Sequence, residues 1–181
     1  MNNDDYSRWI VEAEGNFNSA RWHAFLEDVM GLLCRRPKGL LSFDEVKRKL
    51  DLLSSRDRGV YEIPLDKIVG SVGRCCEFTR TFWPRREELR KRWQRVFTLI
   101  HSASGLSPIE VYQVGDIYFV FDGHHRVSVM RQIGLKVIEA HITEFVSPIR
   151  LTTDILDTRL DELILIKEAF SDESKVGGLT Q

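Results

Sequence analysis

Ile117-Tyr118-Phe119-Val120-Phe121-Asp122-Gly123-His124-His125-Arg126 is the stretch on which the fold of this chain turns. Its first five residues are apolar without a break and rich in β-branched and aromatic types, which predicts a central strand buried on both faces. Asp122-Gly123 interrupts the run, and His124 to Ile133 predicts a helix with Gly134 as its C-terminal stop. The first backbone N–H groups of a helix have no partner within it, and the helix dipole favours negative charge there. Gly123 lets the backbone approach an anion closely. His124, His125 and Arg126 sit in the first turn, where an arginine can grip phosphate oxygens in a bidentate manner. Asp122 can accept from a hydroxyl, hold a metal ion or cap the helix. An Asp-Gly pair is also an ordinary turn and N-cap; the His-His-Arg that follows sets this one apart.

Upstream, Ile109 to Val114 pairs with this strand as a hairpin around Gly115-Asp116. Ser104-Gly105-Leu106-Ser107-Pro108 precedes it as a turn. A helix is expected to begin near Pro84, with Leu89, Trp93, Val96, Phe97 and Ile100 on one face. Its other face is basic, and Arg86, Arg90 and Arg92 are the candidates there for contact with nucleic-acid phosphates. Val60 to Leu65 predicts a short strand that Pro64 places at a sheet edge or strand end. Gly70-Ser71-Val72-Gly73-Arg74 is expected to be a loop, with Ser71 and Arg74 able to reach a second side of a bound phosphate.

Residues 17–52 predict two helices. Trp22, Phe25, Leu26, Val29, Leu32 and Leu33 carry the apolar spacing of the first, and Ser42-Phe43-Asp44-Glu45 is a capping box for the second. Asp57-Arg58-Gly59 closes this segment. Downstream, Val137 to Ile142 predicts another strand. Thr152-Thr153-Asp154 then opens a helix through Leu156, Leu160, Leu163, Ile164 and Phe170, which needs cover from the domain or from a second subunit in a homodimer.

The 181 residues are enough for one sizeable domain with a helical appendage. A net charge of -1 gives no overall pull towards nucleic acid, so any such binding has to come from a local patch. No apolar run approaches the roughly 18–20 residues of a membrane span, and the polar start Met1-Asn2-Asn3-Asp4-Asp5 is not a signal peptide. Cys34, Cys75 and Cys76 are an odd number with two adjacent, which fits a reducing cytoplasm better than a disulfide framework. The expectation is a cytoplasmic protein.

The order and spacing of Val60–Ile68, the helix at 84–101, Leu106–Val111 and Ile117–Val129 resemble the ParB N-terminal-like and sulfiredoxin superfamily. The resemblance covers residues 60–145 and is most specific at Asp122–Arg126. It implies an α+β fold, a small mixed sheet flanked by helices, with residues 1–59 as an N-terminal helical extension and 146–181 as a C-terminal helix and tail. It also implies a nucleotide, CTP or ATP with Mg²⁺, whose phosphates are held by Gly123, His124, His125 and Arg126, in a regulatory or switch protein. Gly123 and Arg126 match the Gly-x-x-Arg of ParB proteins, and the whole motif is similar to the Asp-Gly-His-His-Arg of free serine kinases. A kinase would use Asp122 at the metal or the acceptor hydroxyl. The catalytic glutamate of those kinases follows their first strand, where this chain has Gly70–Arg74, and Glu77 is the nearest candidate. Sulfiredoxin has Phe-Gly-Gly-Cys-His-Arg here. His124 stands in the cysteine position, so sulfinic-acid repair lacks its nucleophile. Partition proteins continue into a DNA-reading helix-turn-helix, for which no sufficient length follows residue 145. A nuclease-like role is the remaining alternative, but no cluster of carboxylates suits two-metal cleavage. Adjacent histidines at a helix start diverge, which argues against zinc and leaves Mg²⁺ bound through phosphates and Asp122.

Overall fold

The structure, a computed structural model, describes residues 3–34, 39–101, 106–147 and 151–153. In chain order the elements are α1 (Asn3–Leu33), β1 (Leu41–Ser42), α2 (Phe43–Leu50), β2 (Ser55–Pro64), β3 (Ile68–Ser71), α3 (Arg90–Ile100), β4 (Ile109–Val114), β5 (Ile117–Asp122), α4 (His124–Gln132) and β6 (Val137–Phe145). One mixed sheet has the order β1-β3-β5-β4-β6-β2. β3 runs parallel to β1 and β5, and β4 runs parallel to β6. The β4–β5 hairpin and the β2–β6 pair are antiparallel. The chain is thus an α+β protein, a mixed sheet flanked by helices.

Period-2 alternation divides the core between the two faces of this sheet. Ile117 and Phe119 of β5 pack with Phe43, Val46 and Leu50 of α2 on one side. Val120 packs with Ile109, Val111, Ile138 and Val127 of α4 on the other. A third cluster, Ala13, Phe17 and Ala20 of α1 with Trp93, Phe97 and Val129, layers α1 and α3 outside α4. The buried Trp93 indole donates to Ser128 Oγ at 2.9 Å, which fixes α3 against α4. Trp93→Phe removes the indole N–H along with part of the ring, and leaves the Ser128 hydroxyl without that donor in an apolar layer. It should lower stability by about 1–3 kcal/mol, read from urea unfolding.

Several expectations are corrected. The first helix starts at Asn3 rather than near residue 17 and continues through Gly31. Its buried face is Ala13, Phe17, Ala20 and Ala24, whereas the apolar spacing visible in the sequence faces outward, with Trp22 59% and Phe25 56% exposed. Asp57-Arg58-Gly59 does not end a segment. It is a bulge inside β2, where the register against β6 shifts and Gly59 takes a φ of 81°. β2 lies at the sheet edge, as Pro64 requires. Gly70 and Ser71 are strand, not loop, because a Cβ on Gly70 would lie 2.3 Å from the Phe119 ring, so only glycine lets β3 and β5 close. α3 starts at Arg90, after a short 3₁₀ turn at Glu87–Leu89. β5 is central, but Phe121 is 47% exposed and Asp122 is exposed too, so the strand surfaces where the helix begins. Residues up to 59 contribute β1 and the start of β2 to the one sheet, and α2 packs against it. The helix expected from Thr152, and any dimer through it, lies outside the described residues beyond Thr153.

Candidate functional site at the start of the fourth helix

β5 delivers the chain to the N-terminus of α4 through Gly123, whose φ of 106° and ψ of 16° are left-handed. Space is tight as well as the torsion: a Cβ there would sit 2.4 Å from Ile109 Cγ2. No side chain among the described residues caps α4, so its first amides lack a side-chain acceptor there.

The two histidines that follow are buried, His124 at 3% exposure and His125 at 4%. Phe78 stacks on His124 with ring centroids 6.0 Å apart and meets His125 edge-on at 5.5 Å. Ser71 Oγ lies 2.6 Å from His124 Nε2 and accepts from the Arg74 amide at 3.2 Å. A Ser71 hydroxyl that donates to His124 Nε2 while accepting from the Arg74 amide satisfies both contacts with the His124 proton on Nδ1. The Nδ1 atom of His125 is buried and has no hydrogen-bond partner among the described residues. Burial and then the charge of Arg74 push His124 down to about 4, and burial followed by Arg92 and Arg74 does the same to His125. Both rings are therefore neutral near pH 7 and act as hydrogen-bonding groups rather than counter-charges.

Three arginines surround this point. Arg74, Arg92, Val96, Asp122, Gly123, His124, His125 and Arg126 line a small cavity of about 40 Å³. Arg92 projects from α3 and is exposed, with no ion pair or hydrogen bond to any described residue. Arg74 meets Glu77 at 3.4 Å and is 40% exposed. Arg126 is placed differently from the expected free phosphate grip. Its Nη1 donates to the carbonyls of Pro108, at 2.9 Å, and Ser107, and its Nη2 donates to Asp122 Oδ2 at 2.8 Å. Those bonds tie the entry of β4 to the end of β5, and an incoming phosphate has to compete with Asp122 for the same guanidinium. Asp122 is 56% exposed, so its second oxygen remains open to a ligand or metal.

The fold thus brings together Ser71, Arg74, Asp122, Gly123, His124, His125 and Arg126, with Glu77 one contact away through Arg74. It does not gather the basic face of α3. Arg90 turns to α1, lying 4.6 Å over the Phe17 ring, donating to Asn18 at 2.9 Å and pairing with Glu87, while Arg86 is exposed by itself. Arg92 alone of the three reaches the cavity. Its role here was not visible in the sequence, because it depends on α3 crossing α4. Among the described residues no group of three or more His, Cys, Asp or Glu side chains could hold a metal ion. The Cys75 thiol is pushed up, chiefly by burial, so nothing activates it. Among the described residues no helix is long and apolar enough to cross a membrane. A larger cavity, about 690 Å³, lies elsewhere, at the C-terminal end of α4 beside Arg131. It shares none of the candidate residues, and chemistry rather than size points to the smaller one.

No protein-family model matches the chain, and no curated protein does. Among solved structures the chain is similar to sulfiredoxin from Arabidopsis thaliana, at 25% identity over 56% of this chain and 98% of that one, with a TM-score of 0.30. That likeness carries no chemistry over to this chain.

Proposed function

We propose that this protein binds the phosphates of a nucleotide at the N-terminus of α4 and acts as a nucleotide-dependent regulatory module. The observation that carries the reading is Arg92, an arginine without a described partner, standing with Arg74 beside uncapped helix amides and two neutral buried histidines. Every one of these groups is suited to an anion: amides and guanidinium groups donate, and a neutral imidazole such as that of His125 can donate too. The cavity seats one phosphate-sized group and leaves the rest of the ligand on open surface. On the far side of Arg126 lies a second cavity of about 240 Å³, lined by Ile100, Leu106, Met130 and Ile138 with Glu139, which offers an apolar seat for a base or ribose. Mg²⁺ would come with the nucleotide, held by phosphate oxygens and the open oxygen of Asp122.

Titration calorimetry with CTP, ATP and GTP in the presence of Mg²⁺ tests this. Arg92→Ala should weaken binding about tenfold to a hundredfold, the loss of one charge-assisted contact, without changing the melting temperature. A folded protein that takes up none of the three at millimolar concentration would remove the reading.

A second reading, phosphoryl transfer to a small hydroxyl such as that of free serine, draws on one observation. Glu77 pairs with Arg74 at the cavity rim, so two carboxylates, Glu77 and Asp122, flank the arginines. Acceptor-dependent turnover that disappears in Asp122→Asn would separate it from simple binding.

A further inference from the structure

The second half of α1 is built inside out. Its charged residues face the domain: Glu27 accepts from the Thr79 hydroxyl at 2.8 Å, Asp28 holds Arg85 at 2.6 Å, and Arg21 reaches the Arg85 carbonyl and Glu87. Its apolar residues face away. Trp22, Phe25, Leu26, Val29, Met30 and Leu33 are between 38% and 72% exposed and fall at i, i+3, i+4, i+7, i+8 and i+11, the spacing of one helix face at about 100° per residue. Trp22 and Phe25 already stack on each other at 5.5 Å. On the opposite side of the same helix Ala13, Phe17, Ala20 and Ala24 are the buried face. A helix apolar on two opposite faces is normally covered on both.

We infer that the Trp22–Leu33 face of α1 is the contact between two copies of this chain. An aromatic side chain presents roughly 150–250 Å² and an aliphatic one somewhat less, so the observed exposures leave on the order of 700 Å² of apolar surface. That exceeds what a lone soluble domain ordinarily exposes in one patch and matches one side of a stable interface, about 800 Å². The chemistry selects the partner. The stripe carries no charge of its own, because Arg21, Glu27 and Asp28 are bonded inward, so nothing on it recognises a charged peptide or nucleic acid. An anionic membrane surface would need lysine or arginine along the length of its borders; residues 22–33 contain neither, and Arg21, just before them, is already engaged. An uncharged apolar stripe is complementary to itself, which is the requirement of a two-fold contact, and the 3–4 spacing lets two such helices interlock side by side.

Sedimentation of the full chain at a concentration on the order of 10 µM, with Phe25→Lys and Leu33→Lys as exposed-site variants, decides it. The wild type should sediment at twice the 21.0 kDa chain mass. Either variant should raise the dissociation constant at least about a hundredfold and run as a monomer with an unchanged melting curve. A monomeric wild type overturns the inference, whether its residues 22–33 exchange amide hydrogens freely or are protected by another part of the same chain. So does a dimer that neither variant weakens, since its interface then lies elsewhere.

Discussion

Gly123→Ala is expected to destabilise the protein by about 2–5 kcal/mol and to abolish anion binding. Two independent penalties meet at this residue. A φ of 106° with ψ near 16° is a conformation that L side chains rarely adopt, which costs on the order of 1–2 kcal/mol. The added Cβ would also lie 2.4 Å from Ile109 Cγ2, 2.8 Å from Ile109 Cβ and 3.1 Å from Arg126 Nε. Ile109 is fully buried at the start of β4 and cannot move aside, and overpacking of this kind adds about 1–3 kcal/mol. Gly134→Ala supplies the control. Its φ is 79°, but nothing lies within 4 Å of a Cβ there, so it should show the torsional cost alone, about 1–2 kcal/mol. Urea unfolding of both variants separates the terms. If Gly123→Ala costs no more than Gly134→Ala, the close approach of β4 to the helix start is wrong, and with it the geometry of the cradle. Ile109→Ala in the Gly123→Ala background should recover part of the binding even as it lowers stability, because it removes the obstruction.

That helix start was the most legible part of the molecule, for a local reason. A buried strand has an unbroken apolar run, a helix start has an Asp-Gly break, and the two signals abut at Phe121-Asp122-Gly123. The hairpin before it and the edge position of Pro64 were equally readable, since turn chemistry and a missing N–H act within a few residues. What failed was whatever depended on a distant neighbour. The apolar periodicity at Trp22, Phe25 and Val29 was correctly seen, but periodicity does not say which of two stripes faces the core. The small residues Ala13 and Ala20, which allow α1 to sit close on α3, carry little hydrophobic signal. Gly70 reads as loop until Phe119 of another strand is found over it. Within the site, Asp122 to Arg126 was visible as a motif and Ser71 and Arg74 as a plausible second wall. The engagement of Arg126 by the Ser107 and Pro108 carbonyls was not visible, because a backbone acceptor has no residue signature. Arg92 looked like its neighbours on α3; crossing over α4 is what distinguishes it from Arg90, two residues earlier and about 200° around the same helix.

Acidification between pH 6.5 and about 4 should remove several kcal/mol of stability through His124 and His125, and a bound anion should return part of it. In the unfolded chain both imidazoles take up protons near their ordinary value of 6.5, whereas in the folded protein they do so only near 4. Above pH 6.5 neither state is protonated and stability is at its full value. As pH falls below 6.5 the unfolded chain binds protons that the folded one refuses, so stability drops, and the drop ends once the folded state is protonated as well. At about 1.4 kcal/mol per pKa unit, each ring accounts for roughly 2 kcal/mol by pH 5. His125→Asn should flatten the pH dependence of the urea midpoint by about half, a difference that carboxylates titrating elsewhere cannot mimic because they are common to both proteins. The direction of the ligand effect follows from the same geometry. Arg74 and Arg92 are among the charges that hold the two rings neutral, and a phosphate between those arginines and the rings offsets them. Pyrophosphate should therefore raise both imidazole values and shrink the acid loss, and its own binding should tighten as pH falls from 7 towards 5. A pH slope that neither His125→Asn nor pyrophosphate alters would mean that these rings do not face the ligand at all, leaving the arginines without the neutral wall that makes this helix start a phosphate seat.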